Sequence, residues 1–367
     1  MFGFRPILYS IAFLTALAAP AQADTTQANA RDNATNDVLA SFDSAFGTEM
    51  RAPTTFKAIY ANSFEQQIAE VADGSKGRIG VYAVDLASGE EVSILADMRF
   101  PMASTSKVAV AATFLAGVDQ GKFDLNDEFP LLIPRRSARF SSPKAPVRLG
   151  NRVPAYELIS LMISKSCNSC TDALLNAVGG PKAVNAWMRN TAGITEFNLT
   201  RDIATLVRDD GEHDPVEWID DRDSASPRAM GQLLAGLYQG RWLSDESRLM
   251  LMAALEETTT GRRRMNAALP DEALLAHKTG TLSRTASDIG LFRLADGRTI
   301  AAAIYVTGQS RDLNDERRNK RAARARRDAR IADITRALYT GFSARAGLLD
   351  DPTSGWTSAP QDDATGG

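Results

Sequence analysis

Ser104-Thr105-Ser106-Lys107 stands at the opening of an apolar run, Val108 to Gly117, that reads as a helix. Residues three apart on a helix share a face, so the Ser104 hydroxyl and the Lys107 amine are expected to meet. A serine is a weak nucleophile until a neighbouring base takes its proton. A lysine can be that base once burial or a second cation lowers its pKa. The spacing alone is common by chance, and most instances are helix surface. Its meaning depends on what accompanies it.

Two further motifs follow in order. Ser166-Cys167-Asn168 ends the apolar run Leu158 to Ile163 and precedes another helical stretch, and Lys278-Thr279-Gly280 follows Leu274-Leu275-Ala276 and leads towards a strand pair. The three together resemble the S-x-x-K, S-D-N and K-T-G set of class A β-lactamases and penicillin-binding proteins. Arg99 to Thr105, Gly179-Gly180-Pro181-Lys182, Arg222-Asp223 with Pro227-Arg228-Ala229-Met230, and Thr259-Thr260-Gly261 are also similar to class A segments. The resemblance covers residues 64 to 344, most of the chain.

The pattern along the chain agrees. Arg78 to Asp85 reads as a buried strand, Ala87-Ser88-Gly89 as a turn and Val92 to Leu95 as a second strand. From Pro101 to Met265 the pattern is mainly helical, without convincing alternation. Strands return at Ile289 to Arg293 and Thr299 to Val306, joined by the hairpin signal Asp296-Gly297, and Ile331 to Phe342 gives a last amphipathic helix. Strands at both ends of a helical middle predict an α+β fold: an antiparallel sheet flanked by helices, with an inserted all-helical lobe. The catalytic domain is placed at 56–349, with a sheet lobe at 56–100 and 272–349 and a helical lobe at 101–271. The resemblance implies the same fold, with the site in the cleft between lobes.

Each motif residue acquires a role. Ser104 is the nucleophile and Lys107 its base; Lys278 is a second cation that helps keep Lys107 neutral. Ser166 relays a proton between Lys107 and a leaving nitrogen. Asn168 holds a substrate amide or caps a helix, and the two are compatible. The resemblance implies an oxyanion hole formed by the backbone N–H groups of Ser104 and Thr281. Thr279 and Thr281 lie two apart on a strand, so both are expected to face the cleft and bind a substrate carboxylate. Arg284 is a candidate partner for that carboxylate, against the plainer reading of an exposed arginine in a turn. Gly280 is expected to allow close approach of substrate. Phe100, Met102, Leu174 and Leu175 read as core.

The resemblance breaks at the omega loop, where class A enzymes carry a glutamate that activates the water releasing the acyl-enzyme. Counting forward from Gly179-Gly180, Leu199-Thr200-Arg201 is the loop entrance and Ile203 falls at the glutamate position. Counting back from Arg222-Asp223, Arg208 becomes the entrance arginine and Asp210 takes that place. The registers differ by an insertion, and neither supplies a glutamate. Asp210 is a carboxylate one methylene short, with Glu212 nearby; Asp209, Asp210, Glu212, Asp214 and Glu217 read equally as a solvated acidic loop. Asp172, one turn beyond Asn168, is expected to brace this loop. Acylation is expected to be intact, and deacylation to need a substitute.

Cys167 stands where the family usually has aspartate, and with Cys170 forms C-x-x-C at a helix start. A structural disulfide, a redox-active pair and two packed thiols all fit that spacing. The βαβ context of a thioredoxin is missing. His277 precedes Lys278 on the strand and reads as a packing residue. There is no G-x-S-x-G elbow, no phosphate-binding glycine loop and no zinc-finger spacing, so no cofactor or metal is expected.

Met1 to Ala23 reads as a signal peptide, with Arg5, the apolar Ile7 to Leu17 and Ala21-Gln22-Ala23; an uncleaved anchor is the alternative. The apolar stretch is short for a membrane span. Residues 24–55 read as a flexible leader and 350–367 as a disordered tail. A periplasmic or secreted location follows, and a monomer is the expectation. The 367-residue chain is net −3, too mild to demand an anionic partner, and nucleic acid is set aside for an exported protein. Charge is nonetheless uneven: Arg317-Arg318, Lys320-Arg321, Arg324 and Arg326-Arg327 lie on one helical stretch, read either as a contact with anionic envelope material or as a solvated helix extension. The expected activity is β-lactam hydrolysis through a Ser104 acyl-enzyme. The alternatives are a penicillin-binding-type DD-peptidase or acyltransferase acting on peptidoglycan-like peptides, and a weakly catalytic envelope binder.

Overall fold

The computed structural model describes residues 62–345, all within one compact unit. The signal-peptide, leader and tail assignments lie outside the described residues. Among the described residues no helix is long and apolar enough to cross a membrane.

The centre is a five-stranded antiparallel sheet in the order β2-β1-β10-β9-β8: β1 (Ile79–Asp85), β2 (Glu91–Ile94), β8 (Leu275–Leu282), β9 (Thr285–Arg293) and β10 (Thr299–Thr307). The Asp296-Gly297 turn joins β9 to β10 as expected, with Gly297 at φ +91°. Strand β10 is buried on both sides, and its alternation divides two cores. Ile300, Ala302, Ile304 and Val306 pack with α1 (Ser63–Val71) and the last helix, α10 (Lys320–Ala344); Ala301, Ala303 and Tyr305 pack with the helical lobe. On α10, Ile331, Ile334, Leu338 and Phe342 recur at helical spacing, and Phe342 meets Phe64 edge-on at 5.1 Å. Burial of each such side chain stabilises by about 1.5–3 kcal/mol.

The inserted segment is built on α2 (Lys107–Asp119), apolar on all sides and therefore central. Around it lie α3 (Ala155–Ser164), α4 (Asn168–Ala177), α5 (Pro181–Asn190), α6 (Ile203–Arg208), α7 (Pro227–Tyr238) and α8 (Asp245–Glu256). The expectation of an all-helical lobe needs correction. Between α2 and α3 runs an antiparallel pair, β4 (Glu128–Pro134) and β5 (Val147–Pro154), and the two-residue strands β3 (Phe100–Pro101), β6 (Phe197–Asn198) and β7 (Ser224–Ala225) form a small sheet. Strand β4 carries Pro130 and Pro134, and the irregularity between Pro130 and Leu132 is how it accommodates one of them. The α+β class itself holds.

Candidate active site

The cleft wall is made by the turn before α2 and by β8. Ser104 lies half-buried in a 3-10 turn, Ala103–Ser106, entered through Ala103 at φ +50°. That turn is fixed from behind: Thr105 Oγ1 donates to Met102 O at 2.7 Å and lies 2.9 Å from the buried Tyr305 hydroxyl on β10. Gly280 on β8 allows the strand to close on it. A Cβ there would stand 2.8 Å from Met102 O, 3.1 Å from Ala103 Cβ and 2.4 Å from Ser287 Oγ. The close approach expected at Gly280 is thus that of the nucleophile turn rather than of substrate alone.

Lys107, first residue of α2, has no exposed surface. Its Nζ donates to Ser166 O at 2.7 Å and Asn168 Oδ1 at 2.7 Å, and lies 3.2 Å from Ser166 Oγ. Among the described residues, no hydrogen bond joins it to Ser104. Burial pushes Lys107 well below the usual lysine range; the charge of Lys278 acts in the same direction and Asp172 opposes it. Lys278, also fully buried, is lowered to about 7, chiefly by burial, and its Nζ donates to Thr279 O at 3.0 Å. Lys278 therefore adds to the cost of a charge on Lys107, while its own lowering comes from burial and Arg264, with Asp288 opposing.

Ser166 adopts φ +59°, and Cys167 and Cys170 are joined, closing a covalent ring on Asn168 at the start of α4. Of the three readings of the cysteines, the bonded pair is the one present. Cys167 is also the N-cap, its Sγ accepting from Cys170 N at 3.1 Å.

With this geometry established, comparison with known proteins decides the family. The β-lactamase enzyme family matches residues 63–342. The chain belongs to it. The extended-spectrum β-lactamase PER-1 of Pseudomonas aeruginosa is 31% identical over 253 residues, spanning 66% of this chain and 79% of its own. β-Lactamase SME-1 of Serratia marcescens is 28% identical over 270 residues, 72% of this chain and 87% of its own. Among solved structures, an ancestral class A β-lactamase is 32% identical with TM-score 0.62, covering 76% of this chain and all of that one. PBP-A, solved as an acyl-enzyme with penicillin G, is 23% identical with TM-score 0.61, a likeness of fold alone. The protein is a class A β-lactamase-like serine hydrolase.

In this family member the threonine pair on β8 is organised by a residue that sequence reasoning missed. Arg264, 4% exposed, donates from NH2 to Thr281 Oγ1 at 2.7 Å and from NH1 to Gly280 O and Ser287 O, both at 2.8 Å, while its Nε pairs with Asp328 at 2.7 Å. Thr279 Oγ1 lies 2.6 Å from Thr260 Oγ1. Arg284, the arginine expected here, is held elsewhere: its NH1 pairs with Asp214, and it borders a different groove, with Lys76 and Arg311. The signal for Arg264 was its place after Thr259-Thr260-Gly261 and beside the buried Met265; only this arginine of three in a row turns inward. His277 is a packing residue, its Nδ1 2.9 Å from the fully buried Asp288.

The loop from 199 to 223 follows the forward register. Arg201 Nε reaches Asp223 at 2.5 Å, and Asp223 also accepts from Thr200 N and Arg201 N at 2.7 and 3.0 Å, closing the loop across 22 residues. Arg208 instead pairs with adjacent Asp209. Asp172 braces the loop as expected, its two oxygens accepting from Ile203 N at 2.7 Å and Ala204 N at 2.9 Å. Burial raises Asp172 to about 6, opposed by those two N–H groups. Ile203 opens α6 and is buried at 2% exposure. Asp210 lies beyond α6, both its oxygens accepting from Ser283 N, at 2.9 and 3.0 Å; it makes no hydrogen bond to Ser104, Lys107 or Ser166 among the described residues.

Proposed function

We propose that this protein opens β-lactams by acylation of Ser104 and releases the product slowly. The observation that carries the reading is the fully buried Lys107, bonded to Ser166 and Asn168 within a motif set that the family uses for acyl transfer. Lys107, held well below the usual lysine range by burial, takes the Ser104 proton as the hydroxyl attacks the lactam carbonyl. Ser166, 3.2 Å from that amine, passes the proton to the departing ring nitrogen. Backbone N–H groups of Ser104 and Thr281 stabilise the oxyanion, each worth on the order of 3 kcal/mol. Thr279, Thr281 and Arg264 receive the substrate carboxylate, a role first read for Arg284, and Asn168 orients the side-chain amide. No cofactor or metal enters this chemistry.

Release needs a base for water, and the register supported by the Arg201–Asp223 pair puts Ile203 where the family has glutamate. Asp210 remains the substitute carboxylate; burial raises its pKa, though Ser283 holds both its oxygens. Scarce base at the water position favours an acyl-enzyme that lingers, the behaviour of a penicillin-binding-type acyltransferase. Periplasmic or secreted location completes the proposal, on the signal-like residues 1–23.

Intact mass during incubation with excess benzylpenicillin tests it. The expected result is a penicilloyl adduct that forms within seconds and clears over minutes to hours, absent in Ser104→Ala. No adduct in the unsubstituted protein, or hydrolysis by Ser104→Ala, overturns the reading. Release of D-alanine from a peptide ending in D-Ala-D-Ala would move the substrate class to peptides.

A further inference from the structure

The α9–α10 corner carries charge that the catalytic reading does not use. Helix α9 (Leu313–Arg318) ends in Arg317 and Arg318, and α10 begins with Lys320 and Arg321, followed by Arg324, all exposed. With Arg263 from the segment after Gly261, all but Arg324 line an open groove of about 650 Å³ together with Asn319, Ala322 and Ala325, with no acidic residue in its lining.

Three features distinguish it from an ordinary solvated face. Nearby acids are already taken by an inner row of arginines: Asp328 by Arg264 at 2.7 Å, Asp315 by Arg326 at 2.7 Å and Glu316 by Arg327 at 2.9 Å. None of the six outer cations forms an ion pair with a described residue. Lys320, Arg321 and Arg324 crowd the N-terminal turns of a 25-residue helix that has no capping side chain and no acid in its first turn, so these three oppose the helix dipole and one another. And this occurs in a chain of net charge −3, where overall balance does not call for it. A fold that holds like charges together against their repulsion is preorganised for an anion.

We propose that this groove binds a linear polyanion, a phosphate-bearing polymer spanning Arg263 and the Arg317–Arg321 corner. The cations come from two separate stretches of sequence, Arg263 and the Arg317–Arg321 corner, around one shallow opening, so a chain of phosphates can engage them in succession. Binding is electrostatic and releases counterions, so it weakens steeply with salt.

The test titrates inorganic polyphosphate into the full chain at several salt concentrations. With four or five phosphates neutralised, the slope of log K against log salt is expected to be about −3 to −4. Arg318→Glu with Arg321→Glu is expected to weaken binding by about 10- to 100-fold. Arg136→Glu with Arg148→Glu, the same change in net charge placed in the β4–β5 region, is expected to leave it within about twofold. Should the first pair fail to fold, Arg318→Ala serves, with an expected loss of about threefold. Equal weakening by both pairs, absence of polyphosphate binding, or binding to phosphatidylglycerol vesicles alone would each overturn the proposal.

Discussion

The two walls of the cleft differ in how completely they are furnished. On one, the turn before α2 and strand β8 place two lysines without exposed surface within each other's field, with Ser166 and Asn168 fixed on Lys107. On the other, the 199–223 loop keeps its mechanical parts: Arg201 on Asp223, and Asp172 on two backbone N–H groups. On the proposed register it carries Ile203 where the family resemblance expects a glutamate. Scaffold and reagent are therefore separable. A loop keeps its conformation through backbone contacts that are indifferent to whether residue 203 is isoleucine or glutamate.

The largest test of the comparison is Lys107→Ala. Acylation is expected to fall by about 10³- to 10⁴-fold, read as the rate of adduct formation. The same assay across pH sharpens it. Acylation should stay active well below the ordinary lysine range, because Lys107 loses its proton early. Capture of the anionic substrate should weaken as pH rises through about 7, where Lys278 loses its charge. A profile controlled by a single group near 10 would break the picture of two lysines lowered by burial.

Asp172→Ala probes the scaffold alone. It leaves the Ile203 and Ala204 N–H groups buried without acceptors, and a loss of about 2–5 kcal/mol is expected in denaturant unfolding. The sign of the pH dependence follows from the raised pKa. Ionising Asp172 in the fold costs stability, so its contribution is fully present below the ordinary aspartate value and is lost as pH rises through about 6. In the alanine variant that segment of the stability profile should flatten.

Ile203→Glu restores the missing reagent to an intact scaffold. Adduct clearance is expected to speed up by about tenfold or more, with a stability cost of about 1–3 kcal/mol for placing a carboxylate beside Asp172. Unchanged clearance would mean that water is activated from elsewhere, and Asp210→Asn would be the next variant. The smallest effect belongs to the ring on Asn168. Cys167→Ser with Cys170→Ser is expected to slow acylation by about two- to fivefold while leaving clearance alone, since the ring touches only the furnished wall.

The furnished wall was also the legible one. Each of its motifs is contiguous, so the spacing that carries the chemistry lies within three or four residues, and the strands around it are bounded by turn signals. What resisted reading depends on distant pairs. The loop register turns on Arg201 meeting Asp223, and no local pattern distinguishes Arg201 from Arg208 as the partner. Arg284 and Arg264 are likewise alike in sequence; only the folded arrangement sends one to Asp214 and the other beneath β8. The β4–β5 pair escaped because it is half-exposed and carries prolines, so neither alternation nor propensity marked it.

Strand β10 carries a consequence for how the gene can vary. Odd positions feed one core and even positions the other, so deleting a single codon within Thr299–Thr307 would turn Tyr305 towards the terminal helices and Ile304 towards Thr105. Both cores would fail together, and with them the brace behind Ser104. Length change in this family member is tolerable in the 199–223 loop, where an insertion already sits, and is barred from the strand that runs between its two cores.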